Sequence, residues 1–210
     1  MRNGLMHWLR PTIVVVALLA ISTPTSAQPS PANASEWISD LANRVILILK
    51  DQRAAPERRQ QFRALIDERF DMPAIAQFVA GRYWRTASEE DRQQFIAAFT
   101  DYMVDFYTVR FTDYGNQTLR ILGQRIGEGN TTVASQVVNP NGAPGVQLDW
   151  RVGQTPEGFK ITDVAIGGVS LAITKRDEFA AVIQRNGGKI AALTAELDKR
   201  AATGGRPTVN

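Results

Sequence analysis

The sequence predicts an α+β domain, with helices packed on one face of a curved four-stranded antiparallel sheet. Three observations carry this. Apolar residues recur at three- and four-residue steps from Ser35 to about Tyr114. They alternate with polar ones from Leu119 to Ile166, and helical spacing returns beyond Gly167-Gly168. Runs of one element type followed by runs of the other indicate α+β architecture.

The elements follow in order. Trp37, Ile38, Leu41, Val45, Ile48 and Leu49 form one face of a first helix beginning at Ser35. Pro56 opens a second, with Phe62, Leu65, Ile66 and Arg69 on its faces. Asp71-Met72-Pro73 reads as N-cap and first turn of a third, which runs through Ile75, Phe78 and Val79 to Gly81. Ser88-Glu89-Glu90-Asp91 resembles a capping box with Asp where Glu or Gln is usual. It opens the longest helix, whose stripe is Phe95, Phe99, Tyr102, Met103, Phe106, Tyr107 and Phe111.

Strands are expected at Leu119–Leu122, Thr131–Val138, Val146–Val152 and Gly158–Ile166. The turns between them fall at Gly127-Glu128-Gly129, Pro140-Asn141-Gly142 and Thr155-Pro156-Glu157-Gly158. Gly167-Gly168 breaks the sheet, and helices follow at about Arg176–Arg185 and Ile190–Ala201, separated by Gly187-Gly188.

The amino terminus reads as an export signal. Arg2 and Arg10 precede and flank an apolar run from Pro11 to Ser22, which is too short to span a bilayer, and Thr25-Ser26-Ala27 offers small residues for cleavage. Residues 1–27 are thus expected to leave as a signal peptide. A single domain at 28–202 and a flexible tail at 203–210 remain. No cysteine follows the apolar run, which excludes a lipid-anchored lipoprotein, and no later segment approaches a membrane span.

Cleavage removes two of 24 basic residues, leaving 22 against 21 acidic, so the basic balance is poor evidence for nucleic-acid binding. It also removes His7, the sole histidine, and the chain has no cysteine. A Ser-His-Asp triad, a cysteine nucleophile, a disulfide and an ordinary zinc or haem site are therefore excluded. No cofactor or metal is expected. Stability must come from a hydrophobic core, which about 183 residues can supply as one domain.

The aromatic stripe of the long helix reads either as ordinary core or as the lining of an apolar cavity between helices and sheet. Asp101 with Asp105, and the cluster Asp67, Glu68 and Asp71, could act as acid and base or hold calcium. Their spacing matches no catalytic or EF-hand motif, and solvated helix faces explain them better, as they do the arginines between Gln52 and Arg63. Gly127-Glu128-Gly129 and Gly167-Gly168 lack a following helix at the spacing a phosphate-cradling loop requires.

Several stretches together resemble the MlaC family of periplasmic phospholipid-binding, or toluene-tolerance, proteins. They are Phe70-Asp71-Met72-Pro73-Ala74-Ile75-Ala76, Val79-Ala80-Gly81-Arg82-Tyr83-Trp84-Arg85 and Tyr107-Thr108-Val109-Arg110-Phe111. Further along come Asp149-Trp150-Arg151, Ile161-Thr162-Asp163-Val164, Gly168-Val169-Ser170-Leu171 with Thr174, and Asp177-Glu178-Phe179. The ordered set covers most of the chain after the leader. One departure is Gly167, where the family often has an acid before Gly-Val-Ser.

The resemblance implies a non-enzymatic carrier whose fold encloses an apolar cavity. It would exchange phospholipid between an outer-membrane lipoprotein–porin complex and an inner-membrane ABC transporter bearing an MCE-domain subunit. The hopanoid-associated HpnM branch is an alternative. Phe78, Tyr83, Trp84, Phe99, Met103, Phe106, Tyr107, Val169 and Leu171 are expected to contribute to lipid binding. Arg82, Arg85 and Arg110 are candidates for the rim or docking surface, against structural pairing with nearby acids. A 16-carbon chain costs about 12 kcal/mol to expose to water, so a carrier must enclose it. Two rivals remain: an enzyme using Asp and Tyr as acid and base in the same pocket, with Asp105 as its test residue, and an envelope scaffold with a filled core.

Overall fold

The computed structural model describes residues 33–51, 55–110 and 116–202, all within one compact unit, Pro31–Asn210. The expected leader and tail lie outside the described residues, as does Phe111.

Helix α1 (Ala34–Lys50) starts where the Asn33 side chain accepts a hydrogen bond from the Glu36 amide at 3.0 Å, supplying a partner the first turn lacks. Helix α2 spans Ala55–Arg69 and buries Phe62, Leu65 and Ile66. Helix α3 (Met72–Ala80) is capped by the Asp71 carboxylate, which accepts from the Ala74 amide at 3.0 Å. It stops at Gly81, whose φ of 58° suits only glycine without strain. A 3₁₀ turn, Gly81–Thr86, leads to helix α4, Glu89–Arg110. The Ser88 hydroxyl accepts from the Asp91 amide at 3.1 Å and donates to the Asp91 carboxylate at 2.7 Å. The shorter acid closes the box through the hydroxyl.

Among the described residues the sheet has five strands in sequence order, one more than expected: β1 (Thr118–Ile126), β2 (Asn130–Val138), β3 (Pro144–Thr155), β4 (Gly158–Ile166) and β5 (Val169–Ser170). Every neighbouring pair is antiparallel. Gly167 and Gly168 do not end the sheet. Both have positive φ, 57° and 84°, and turn the chain back so that Val169 pairs with Ile166. Helix α5 (Leu171–Arg185) then begins five residues earlier than its spacing suggests, because the Ser170 hydroxyl accepts from the Ile173 amide at 3.1 Å. Helix α6 is Ile190–Ala202.

Two hydrophobic clusters hold these layers together. Between the helices, Phe95, Phe99 and Phe179 meet with ring centroids 5.6–6.3 Å apart, beside Ile183, Leu193 and Leu197. Each such pair adds about 0.5–1.5 kcal/mol beyond the area it buries. Between helices and sheet, Ile38 and Leu41 of α1 and Leu65 of α2 seal Val133, Val152 and Ile161.

Ion pairs tie helix to helix. Arg59 reaches Asp105 and, at 3.0 Å, Asp101; Arg63 reaches Asp101 at 2.7 Å and Asp67 at 2.9 Å. Asp67, Asp101 and Asp105, read with these arginines as separate solvated faces, are thus part of one network joining α2 to α4. Glu68 takes a two-pronged contact from Arg44 of α1, at 2.6 and 2.7 Å, which outweighs burial and holds its carboxyl below the ordinary 4.5.

Candidate ligand pocket

The pocket begins with strand alternation. Val146, Leu148, Trp150 and Val152 of β3 point to one face of the sheet. The register sets Leu148 opposite Ser135 and Ile166, Trp150 opposite Val133 and Val164, and Val152 opposite Ile161. A bulge at Thr162 adds one residue to β4, so Ile161 and Val164 share this face although they are three apart. Leu119 of β1, opposite Val137, extends it further.

One end of this inner face is sealed by α1 and α2. The other is not. There the strands and helices leave an apolar pocket of about 360 Å³, within the range of small-molecule sites. Leu119, Val137, Val146, Leu148, Val164 and Ile166 form its sheet wall. Opposite them stand Val45, Ile46 and Leu49 of α1, with Phe62 and Ile66 of α2. Met72, Ile75 and Val79 of α3 continue the wall, and Phe99, Met103 and Tyr107 of α4 and Leu171 of α5 complete it. A second hollow of about 260 Å³ shares Leu49 and Phe62 with it.

The few polar groups on the wall are mostly engaged. Trp150 donates its indole N–H to the Ser135 hydroxyl at 2.8 Å, and that hydroxyl donates to the Leu148 carbonyl at 3.1 Å. Asp163, buried, accepts from the Ser170 hydroxyl at 2.7 Å and the Ala172 amide at 3.1 Å, fixing the start of α5 against β4. Burial by itself pulls the Lys175 ammonium down, but hydrogen bonds to Glu178 at 2.7 Å and the Tyr102 hydroxyl at 3.1 Å outweigh it and hold it above the ordinary lysine value. The Gln117 side-chain amide oxygen, Oε1, is the exception, buried with no hydrogen-bond partner. Among the described residues no group of three or more His, Cys, Asp or Glu could hold a metal ion, and no helix is long and apolar enough to cross a membrane.

Of the residues expected to contact lipid, Phe99, Met103, Tyr107 and Leu171 lie on the pocket wall. The others stand elsewhere. Tyr83, Trp84 and Phe106 pack on the outside of the helical cluster, and Phe78 and Val169 are exposed. Arg92 lies 5.4 Å from the Trp84 ring centroid, and Arg82 donates to the Tyr83 hydroxyl at 2.8 Å. Arg82 and Arg85 are exposed on the 3₁₀ turn; the Arg110 side chain is outside the described residues. Sequence reasoning set the cavity between helices and sheet but named no lining residue of α1 or of β1 to β4, and gave no role to Asp163 or Lys175. Asp163 left one signal, the only acid in a strand that also carries Lys160 and Thr162.

An open, almost wholly apolar recess between a sheet and a helical layer defines a protein built around a water-shunning ligand. Comparison with known proteins is specific. A profile of the MlaC protein family matches residues 39–199, and the chain belongs to that family. It is 25% identical over 113 residues to the intermembrane phospholipid transport system binding protein MlaC of Haemophilus influenzae, covering 52% of this chain and 53% of that one. It is 24% identical over 106 residues to toluene tolerance protein ttg2D of Pseudomonas putida, covering 50% and 49%. The chain thus spans about half the length of these curated relatives. A solved phospholipid-binding protein from Ralstonia solanacearum, in complex with a phospholipid, superposes with a TM-score of 0.73 at 30% identity, over 83% of this chain and 100% of that one.

Proposed function

We propose that this chain is a periplasmic phospholipid carrier, holding acyl chains in the pocket and moving them between the outer and inner membranes. The observation that carries the reading is the unsealed end of the inner face. There Leu119, Val137, Leu148 and Val164 meet an apolar helical wall across open space, where the other end of the same face is filled. Leaving such a surface bare to water is costly, at about 25 cal/mol per Å². The superposition on a protein solved with phospholipid bound supports the same ligand class.

In this reading Phe99, Met103, Tyr107 and Leu171 touch the acyl chains from the helical side. Arg82, Arg85 and Arg110 serve the docking surface. Partners are an inner-membrane MCE-domain subunit of an ABC transporter and an outer-membrane lipoprotein–porin complex, reached after cleavage behind Ala27. The chain itself does no chemistry on the lipid; Asp105, the acid of an enzymatic reading, is bound to Arg59.

Native mass spectrometry of gently extracted protein tests this. The expected spectrum shows bound phospholipid in near-stoichiometric amount, and a hopanoid mass in its place assigns the chain to the HpnM-like branch. Protein that is lipid-free and takes no lipid from vesicles defeats the carrier reading and favours the scaffold.

A further inference from the structure

A lipid tail reaches this pocket without crossing water only if its source touches the rim, and the rim has a composition of its own. Val146 and Ile166 belong to the pocket wall yet are 40% and 37% exposed. Ile166 pairs with Val169, so both side chains emerge on the inner face, and Val169 is 61% exposed. Ile173, in the first turn of α5, is 52% exposed. Between β4 and β5 the turn at Gly167 and Gly168 stands clear of the body, for a Cβ at either position meets nothing within 4 Å. Beside this aliphatic collar, Arg176 lays its guanidinium 5.1 Å from the ring centroid of the exposed Phe78.

We propose that this collar docks transiently on the surface of a phospholipid bilayer, letting the chain exchange lipid with the bilayer directly. The inference rests on the carrier reading above. Continuity is the main argument, because Val146 and Ile166 are both rim and wall, so a tail leaving the bilayer interior slides along unbroken apolar surface. The occupant must itself be hydrocarbon beneath a polar skin. Aliphatic side chains at the centre with an arginine at the edge match that layering: the former enter the acyl boundary while the guanidinium stays among the phosphates. Four part-exposed aliphatic groups make a brief contact and not an anchor, which suits a carrier that must leave loaded.

The test offers vesicles of phosphatidylethanolamine and phosphatidylglycerol, containing isotope-labelled phospholipid and no protein, to the full chain. Ile173→Asp and Val169→Asp are compared with the unsubstituted chain and with Ile126→Asp. Ile126 is 78% exposed at the opposite end of the sheet. Position 173 is the third residue of α5, where an acid favours the helix, so folding is spared. Uptake from vesicles is expected to fall about tenfold or more in the collar variants, in proportion to the apolar burial lost, and to stay unchanged in Ile126→Asp. The lipid already bound on extraction stays the same in Ile173→Asp. Unaltered uptake in both collar variants overturns the docking proposal and leaves the carrier reading standing. In a parallel assay the same labelled lipid is offered by a protein donor, and slowing confined to that assay likewise overturns the proposal and assigns the collar to a protein partner. An unsubstituted chain that neither holds nor takes up lipid sinks the carrier reading first.

Discussion

The two ends of the sheet's inner face obey the same alternation and meet the helices differently. At one end Val133, Val152 and Ile161 are sealed by Trp37, Ile38, Leu41 and Leu65. At the other, Val146, Leu148 and Ile166 look across open space at α3, α4 and α5. The strands do not differ in chemistry. What differs is whether helical side chains fill the gap, so an apolar face becomes core or binding site according to its neighbours.

The comparison breaks most sharply through paired truncations. Ile161→Ala at the sealed end should cost about 2–5 kcal/mol in urea denaturation, since it leaves a void the packing cannot close. In the delipidated chain, Leu148→Ala at the open end should cost about 1 kcal/mol or less, because the space beside it is already empty. Equal costs in the lipid-free chain would mean that protein side chains close the open end in solution. Next in size, Met103→Trp replaces a thioether with a bulky indole in the pocket. Lipid retained through purification should drop about tenfold, while the melting temperature shifts by only a few degrees.

Asp163→Ala removes the acceptor shared by Ser170 and Ala172 and should lower stability by about 1–2 kcal/mol. Because α5 begins there, chemical denaturation and lipid retention should fall together, which separates this variant from Leu148→Ala. The smallest effect is acid sensitivity. Burial raises the Glu178 carboxyl, but Lys175 and Arg200 outweigh it, and Glu178 joins Glu68 below the ordinary 4.5. A depressed carboxyl contributes stability that is present above its unfolded value and lost as pH falls through its folded one. The melting temperature should therefore decline below about pH 4.5. Glu68→Gln and Glu178→Gln should each flatten that decline, the first reporting the α1–α2 clasp and the second the wall behind the pocket.

Local signals carried much of this architecture. Asp71-Met72-Pro73 and the Ser88 box mark helix starts because capping is settled within four residues. The α5 start was hidden, since Val169 to Lys175 alternates as well as it winds, and the cap works only once Asp163 arrives from β4 to hold Ser170. The aromatic stripe of α4 shows where spacing ends: Phe95 faces Phe179, Met103 faces the pocket, and Phe99 touches both. Nothing in a 3.6-residue period distinguishes these neighbours. Arg59 and Asp105, 46 residues apart, likewise pair only through the packing of α2 on α4.

The placement of tryptophan has an optical consequence. Trp150 sits on the pocket wall with its indole N–H held by Ser135, whereas Trp37 is sealed at the closed end with Arg69 4.8 Å above its ring. An acyl chain arriving in the pocket changes what surrounds the first indole and leaves the second alone. Fluorescence emission from the unlabelled chain should therefore shift on loading, with Trp150→Phe silencing the shift and Trp37 providing a constant internal standard.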